Sequence, residues 1–475
     1  MRYRIEKDLL GEKQVPAEAY YGIETLRGKE NFEITKRGIC RQLIKALTIV
    51  KKAAAKANID AENIDEKVGK AIMLACDEIL NGRLHGQFVT DLIQGGAGTS
   101  MNMNANEVIA NRANEILGGK KGTYEFVHPN DHVNFGQSTN DVIQTAGKIA
   151  VIKQLKKLQV ELKKLYNSYL AKADEFKDII KIGRTHLQEA LPMYLGQEFS
   201  AYASVLSRDI KRIDNAIDEL LDVNIGATAI GTSLNTNEKY RKKVITHLVK
   251  FSGEPVKSAK NLIDATRNLD SFGTASSSLK LLAVNLSKTA SDLRLMASKG
   301  TSGYCEIILP KIQPGSSIMP GKYNPVVPEM VNQVCFYVMG LDVTVSYAIE
   351  SAQLELNVFE PIILMSLFEQ ITTLRRAVRT FNELAITGLE AAIDSNTNHY
   401  KADNSIYLIT SLSPVLGHSL ACKIVNEAME TGKTIKEVIL ENDLLDEKAL
   451  DEILHEKNLA SSGIVSEKIK NNIGE

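Results

Sequence analysis

Apolar residues recur every three or four positions over two long stretches of the chain. Leu195, Phe199, Tyr202, Leu206, Ile210, Ile213, Ile217 and Leu220 form one stripe, with Arg and Asp between them. Ile149, Ile152, Leu155, Leu158, Leu162 and Leu165 form another, with lysines on the opposite face. This is helix period, and it predicts helices long enough to pack as a bundle, with room for a second apolar face used in subunit packing. Core packing alone accounts for the stripes, so they carry no chemistry.

Proline placement bounds these helices. None lies between Pro192 and Pro255, whereas Pro310, Pro314, Pro320, Pro325 and Pro328 crowd into one segment. Proline lacks a backbone donor and breaks helix interiors, so the first interval permits long helices and the cluster forbids one. The chain therefore reads as all-α (mainly α) with three regions. Residues 1–139 mix loops and shorter helices with glycine punctuation. Residues 140–394 form a long-helix bundle interrupted by a loop over 310–328. Residues 395–475 are more charged and read as short helices.

The composition is that of an ordinary globular protein, with 44% apolar and 24% charged residues among 475. A net charge of -1 with both signs interspersed argues against a nucleic-acid partner, while leaving room for a small basic pocket. Five scattered cysteines, never paired as CxxC, read as reduced thiols of a cytosolic protein. The N-terminus lacks the apolar stretch of a signal peptide, and no uncharged apolar run approaches the roughly 20 residues of a membrane span. A cytoplasmic protein with no membrane partner is expected.

Four polar, glycine-punctuated segments interrupt the helical pattern. Gly95-Gly96-Ala97-Gly98-Thr99-Ser100 precedes Asn102, Asn104 and Asn106. Its glycines let backbone amides approach a ligand, and a helix starting there would favour an anion; a plain helix-start turn fits equally well. His128 to Asn134 places His128 and His132 at metal-like i,i+4 spacing, but Pro129 interrupts one continuous helix, so metal binding is the weaker reading. Ser138, Thr139 and Asn140 offer two hydroxyls and an amide for a carboxylate, or equally a helix cap. Gly183-Arg184-Thr185-His186 carries a histidine able to exchange protons near neutral pH, although a lone histidine is more often structural. Gly315-Ser316-Ser317-Ile318-Met319-Pro320-Gly321-Lys322-Tyr323-Asn324-Pro325 excludes regular structure, and a loop this long inside a helical protein is more often functional than idle.

Together these segments resemble the aspartase/fumarase superfamily along essentially the whole chain. Asp8-Leu9-Leu10-Gly11 and Ala19-Tyr20-Tyr21-Gly22 look like its opening signature, and Gly315–Pro325 looks like its signature loop. Ser100 after Thr99, Thr139, and Val326-Val327-Pro328-Glu329 with Val331-Asn332-Gln333 lean towards the ammonia-eliminating branch rather than the hydratase branch. The resemblance implies a three-domain fold whose central bundle is shared in a homotetramer, with each active site drawn from three subunits. It implies anti elimination of ammonia from L-aspartate to give fumarate through an aci-carboxylate, without a redox or organic cofactor and with no metal ligand among the site residues, although some members of the family respond to divalent cations.

By the same resemblance Ser316 is the base on a mobile loop. Thr99, Ser138, Thr139 and the Ser317 backbone hold the β-carboxylate, while Lys322, Asn324 and Thr185 bind the α-carboxylate. Asn140 and His186 surround the amino group. Hydration of fumarate is the nearest rival, and His128–Asn134 resembles a segment forming a secondary carboxylate site in fumarases. A non-catalytic scaffold is the rival of another class, against which stands the joint retention of Ser316, Lys322, His186 and Thr99. Three positions depart from the family: Lys299-Gly300-Thr301 where relatives carry Gly-Pro-Arg, Tyr323 for a valine, and Gln144 for a proline.

Overall fold

Two short strands open the chain: β1 (Tyr3–Asp8) and β2 (Gly11–Pro16) pair antiparallel from Tyr3↔Pro16 to Asp8↔Gly11. The computed structural model describes residues 2–299, 303–392, 405–460 and 463. Four helices follow, α1 (Ile23–Asn31), α2 (Arg41–Asp60), α3 (Glu66–Leu80) and α4 (Thr99–Ile116). The 37-residue α5 (Thr139–Glu175) leads to a hairpin of β3 (Ile180–Thr185) and β4 (Gln188–Tyr194), then to α6 (Leu195–Leu220). Beyond these lie β5 (Asp222–Val223), α7 (Glu238–Ser252), β6 (Lys257–Ser258), α8 (Leu262–Arg267) and α9 (Asp270–Met296). The chain continues through β7 (Ile307–Ile308), α10 (Val326–Glu350), α11 (Glu360–Phe381) and β8 (Glu390–Ala391). Short helices complete it, among them Ile409–Leu416, His418–Thr431, Ile435–Glu441 and Glu447–Leu454.

The helix periods read from the sequence are the ones that bury side chains. All six α5 stripe residues from Ile149 to Leu165 are buried. On α6 the stripe is buried except Ile210, which is only partly covered; its neighbour Asp209 is fully buried and pairs with Arg212 at 2.6 Å. Among the described residues of the proline-rich interval between α9 and α10, the only regular element is the two-residue β7, paired with β8. Pro328 stands in the first turn of α10, where the missing N–H has no intrahelical partner to lose.

The chain divides into two compact units. The first comprises Met1–Glu161, Asp209–Val284 and Gln333–Arg376; the second comprises Leu162–Arg208, Asn285–Asn332 and Ala377–Glu475. In the first unit α2 packs against α3 and α7, and its buried Ala53, Ala54, Ala55 and Ala57 leave room for close approach. In the second, the C-terminal helices enclose Leu412, Ile424, Val438, Ile439 and Leu450. The boundary expected at 394/395 and the departures Gly300 and Thr301 lie outside the described residues. Among those described, no helix is long and apolar enough to cross a membrane.

Candidate active site

Thr99, Ser138, Thr139 and Asn140 belong to the first unit. Gly96, Ala97 and Gly98 are all left-handed (φ 77°, 55° and 86°), a path that needs glycine and turns the chain sharply into α4. Thr99 is the first helical residue, and its hydroxyl donates to Gly96 O at 2.7 Å. It lines a cavity of about 720 Å³ with Ser100, Met103, Glu24, Arg27 and His128. The segment starts a helix, and that helix's N-terminus borders a cavity.

The start of α5 is capped reciprocally. Ser138 Oγ accepts from Asn140 N–H at 3.3 Å, and Asp141 Oδ1 accepts from Ser138 N–H at 3.0 Å. Asp141 is fully buried and also takes the Gly226 and Thr228 N–H groups, each at 3.0 Å. Burial pushes its carboxyl up, and these backbone donors pull it back. Asn140 Nδ2 donates to Ala229 O at 2.7 Å, so the 226–229 turn is tied to the same helix end. Capping thus employs Ser138 and Asn140, while Thr139 Oγ1 accepts from Asn102 Nδ2 at 3.1 Å.

Thr185, His186, Ser316, Ser317, Lys322 and Asn324 belong to the second unit. Thr185 ends β3, and His186 with Leu187 forms the two-residue hairpin turn to β4. Both turn residues are left-handed (φ 55° and 63°) without being glycine, a conformation costing about 1 kcal/mol or more per residue. The hairpin base compensates. The Glu306 carboxylate bridges Lys181, at 2.7 Å, and Arg184, whose guanidinium lies over the Tyr304 ring at 4.4 Å. His186 is held exposed at the tip of an anchored turn.

The 315–324 loop is closed by its own backbone. Gly315 N–H donates to Lys322 O at 2.8 Å, and Asn324 Nδ2 donates to Gly315 O at 2.6 Å. Ser316 Oγ accepts from the N–H groups of Ile318 and Met319 at 3.2 and 3.1 Å. Two amide donors on one hydroxyl oxygen favour its alkoxide. Lys322 and Asn324 line a cavity of about 590 Å³ with Arg294, Lys299, Tyr323 and Pro325, a basic lining suited to an anion. The Tyr323 departure packs its ring beneath the Lys311 ammonium at 4.9 Å.

His128 and His132 spend their Nδ1 atoms on backbone. His132 accepts from His128 N–H at 2.8 Å, and His128 accepts from Asn130 and Asp131 N–H at 3.3 and 3.2 Å. Sequence reasoning missed two buried groups. Glu107 takes the Gly22, Glu24 and Thr25 N–H groups and the Thr25 hydroxyl, which ties the opening signature to α4. Burial pushes its carboxyl up to about 7 despite those donors. Lys51 is fully buried and donates to Asn134 Oδ1 at 2.8 Å and Gln137 Oε1 at 3.0 Å. Its signal was available: a lysine four residues after Leu47 and three before Ala54, on the apolar stripe of α2.

Comparison with known proteins bears on the whole chain. Residues 11–340 match the family described as Lyase, and residues 408–461 match the one described as Fumarase C C-terminus. The chain is 50% identical to the aspartate ammonia-lyase of Bacillus subtilis over 98% of both chains. It is 46% identical to that of Helicobacter pylori over 96% of this chain and 98% of the other. Among solved structures, a cobalt-bound fumarate lyase:delta crystallin from Brucella melitensis superposes with a TM-score of 0.93 at 46% identity, covering 97% of this chain and 100% of that one. A class II fumarase from Schistosoma mansoni gives a TM-score of 0.93 at 34% identity, covering 97% and 99%. With motifs, helical architecture and full-length similarity in agreement, the chain belongs to the lyase family of the aspartase/fumarase superfamily.

Proposed function

We propose that the protein is an aspartate ammonia-lyase of the cytoplasm, working as a homotetramer on L-aspartate, fumarate and ammonia without an organic cofactor. The Ser316 oxygen, cradled by two backbone amides inside a loop clasped at Gly315, carries this reading. Identity of 46–50% to named aspartate ammonia-lyases, against 34% to the fumarase, supports the choice of substrate.

The Ser316 alkoxide takes the proton from the carbon beside the β-carboxylate. The C–H electrons move into that carboxylate, giving a dianionic aci-carboxylate, and their return to form the double bond expels the amine. The proton is weakly acidic, so stabilising the dianion is the main task. Thr99, Ser138, Thr139 and the Ser317 N–H are the donors for it, each worth about 3 kcal/mol when preorganised. Lys322, Asn324 and Thr185 hold the α-carboxylate, while Asn140 and His186 face the departing nitrogen. Closure of the loop excludes water and brings Ser316 to the substrate.

The test is absorbance of fumarate formed from L-aspartate or from L-malate. Fumarate from aspartate alone is expected; fumarate from malate alone would make the protein a hydratase. Ser316→Ala should lower kcat by about 10²-fold or more with the circular dichroism and assembly unchanged. Retention of more than a tenth of the activity would remove Ser316 as the base.

A further inference from the structure

A line of polar groups with a fixed sense runs from α2 to the start of α5. Lys51 is fully buried, and Asn102 and Asn106 on α4 are 2% and 0% exposed. The Lys51 ammonium donates to Asn134 Oδ1 at 2.8 Å and has no lone pair with which to accept. The Asn134 carboxamide must therefore turn its oxygen towards Lys51. That same oxygen is approached by Asn102 Nδ2 at 3.3 Å and Asn106 Nδ2 at 3.2 Å, so both of these side chains must present nitrogen. The remaining N–H of Asn102 reaches Thr139 Oγ1 at 3.1 Å.

The sense of the line is held at a cost. Asn102 Oδ1 and Asn106 Oδ1 are buried without a hydrogen-bond partner, so the desolvation of each goes uncompensated. Turning Asn102 over would set its oxygen against Asn134 Oδ1 and draw the Thr139 proton back towards residue 102. The Thr139 hydroxyl thus serves as acceptor towards the protein, and it donates its proton to no described residue. Such a hydroxyl keeps its hydrogen free to donate to a ligand.

We propose that Asn102, oriented by Lys51 through Asn134, is a positioning residue that holds the Thr139 hydroxyl as a hydrogen-bond donor to the substrate's β-carboxylate. The inference rests on Thr139 touching that carboxylate. It adds Lys51, Asn134 and Asn102, none of which touches substrate, as the groups that decide which way the hydroxyl points. Simple polar packing at the α2–α4–α5 junction would need shape at position 102 but no particular direction of donation.

Substitutions at Asn102 separate direction from shape. Asn102→Asp keeps the shape but only accepts when ionised, so the Thr139 proton turns back to it. Asn102→Ala leaves the hydroxyl free to rotate. The expected order of kcat/KM with L-aspartate is wild type, then Ala about tenfold lower, then Asp about 10²-fold lower. A packing role predicts the opposite order, with the near-isosteric Asp closest to wild type. In a Thr139→Val background either substitution should cost less than about threefold, because the group it acts through is gone.

Equal costs in both backgrounds, with Thr139→Val itself impaired, would overturn the positioning role and leave Thr139 as a contact. A Thr139→Val enzyme with unchanged kcat/KM would instead remove the contact, and the inference with it. If Asn102→Asp does not give soluble protein, the Ala variant completes the same cycle. A cost for Ala that persists without the Thr139 hydroxyl then overturns the proposal.

Discussion

Glycine rather than packing holds Ser316 in place. A Cβ on Gly315 would lie 2.5 Å from Lys322 O and 2.9 Å from Asn324 N, so the clasp closing the loop tolerates no side chain there. Gly315→Ala should open the clasp and loosen the two amides that bind the Ser316 oxygen. A fall in kcat of about tenfold or more is expected, with the melting temperature within about 1 °C because the segment buries little. Unchanged kcat would show that the clasp does not organise Ser316 for the proposed reaction. The sequence marked Ser316 and Lys322 as candidates through their glycine- and proline-bound loop. The clasp was not legible, because contacts between residues seven and nine apart in an irregular segment leave no periodic trace. Lys51 left a signal in its place on an apolar stripe, but a lysine there reads as one that snorkels to water until burial is known.

Among the helices, α5 shows what periodicity reveals and what it omits. Its buried stripe was readable from spacing alone, but the role of Gln144 was not. The fully buried Gln144 side chain donates from Nε2 to Thr266 O at 2.7 Å and to Glu360 Oε1 at 3.5 Å. Gln144 Oε1 and Glu360 Oε2 are buried without hydrogen-bond partners. Burial pushes the Glu360 carboxyl up from 4.5 to about 8, only partly opposed by its own N–H and by Gln144. The folded state therefore keeps a proton that the unfolded chain gives up above its ordinary value. This contribution is complete below about pH 4.5, shrinks as the pH rises and is gone above about pH 8. Glu360→Gln supplies a permanent donor of the same shape. Between pH 6 and 9 the wild type should lose on the order of a few degrees more in melting temperature than this variant. Parallel melting curves would show that Glu360 is already ionised in the folded protein.

For the molecule as a whole, apolar spacing cannot distinguish a core from an interface between copies. On α10, Phe336, Val343 and Tyr347 are 60%, 53% and 71% exposed on one helical face. Leu281 and Val284 on α9 are 43% and 44% exposed. A row of large apolar side chains left in water is the expected mark of a helix that completes its packing against another subunit. If the proposed tetramer draws Thr99 and Ser316 of one active site from different chains, two inactive variants should repair each other. Ser316→Ala and Thr99→Ala chains, unfolded together in equal amounts and refolded, assort at random. Each composite site then receives both wild-type residues in roughly a quarter of cases, so about 25% of wild-type activity should appear where neither variant alone has any. If a single chain supplied both residues, every site would carry one defect or the other, and mixing would yield no more than the average of the parents. Activity at that average would overturn the composite site even if every residue assignment within it were correct.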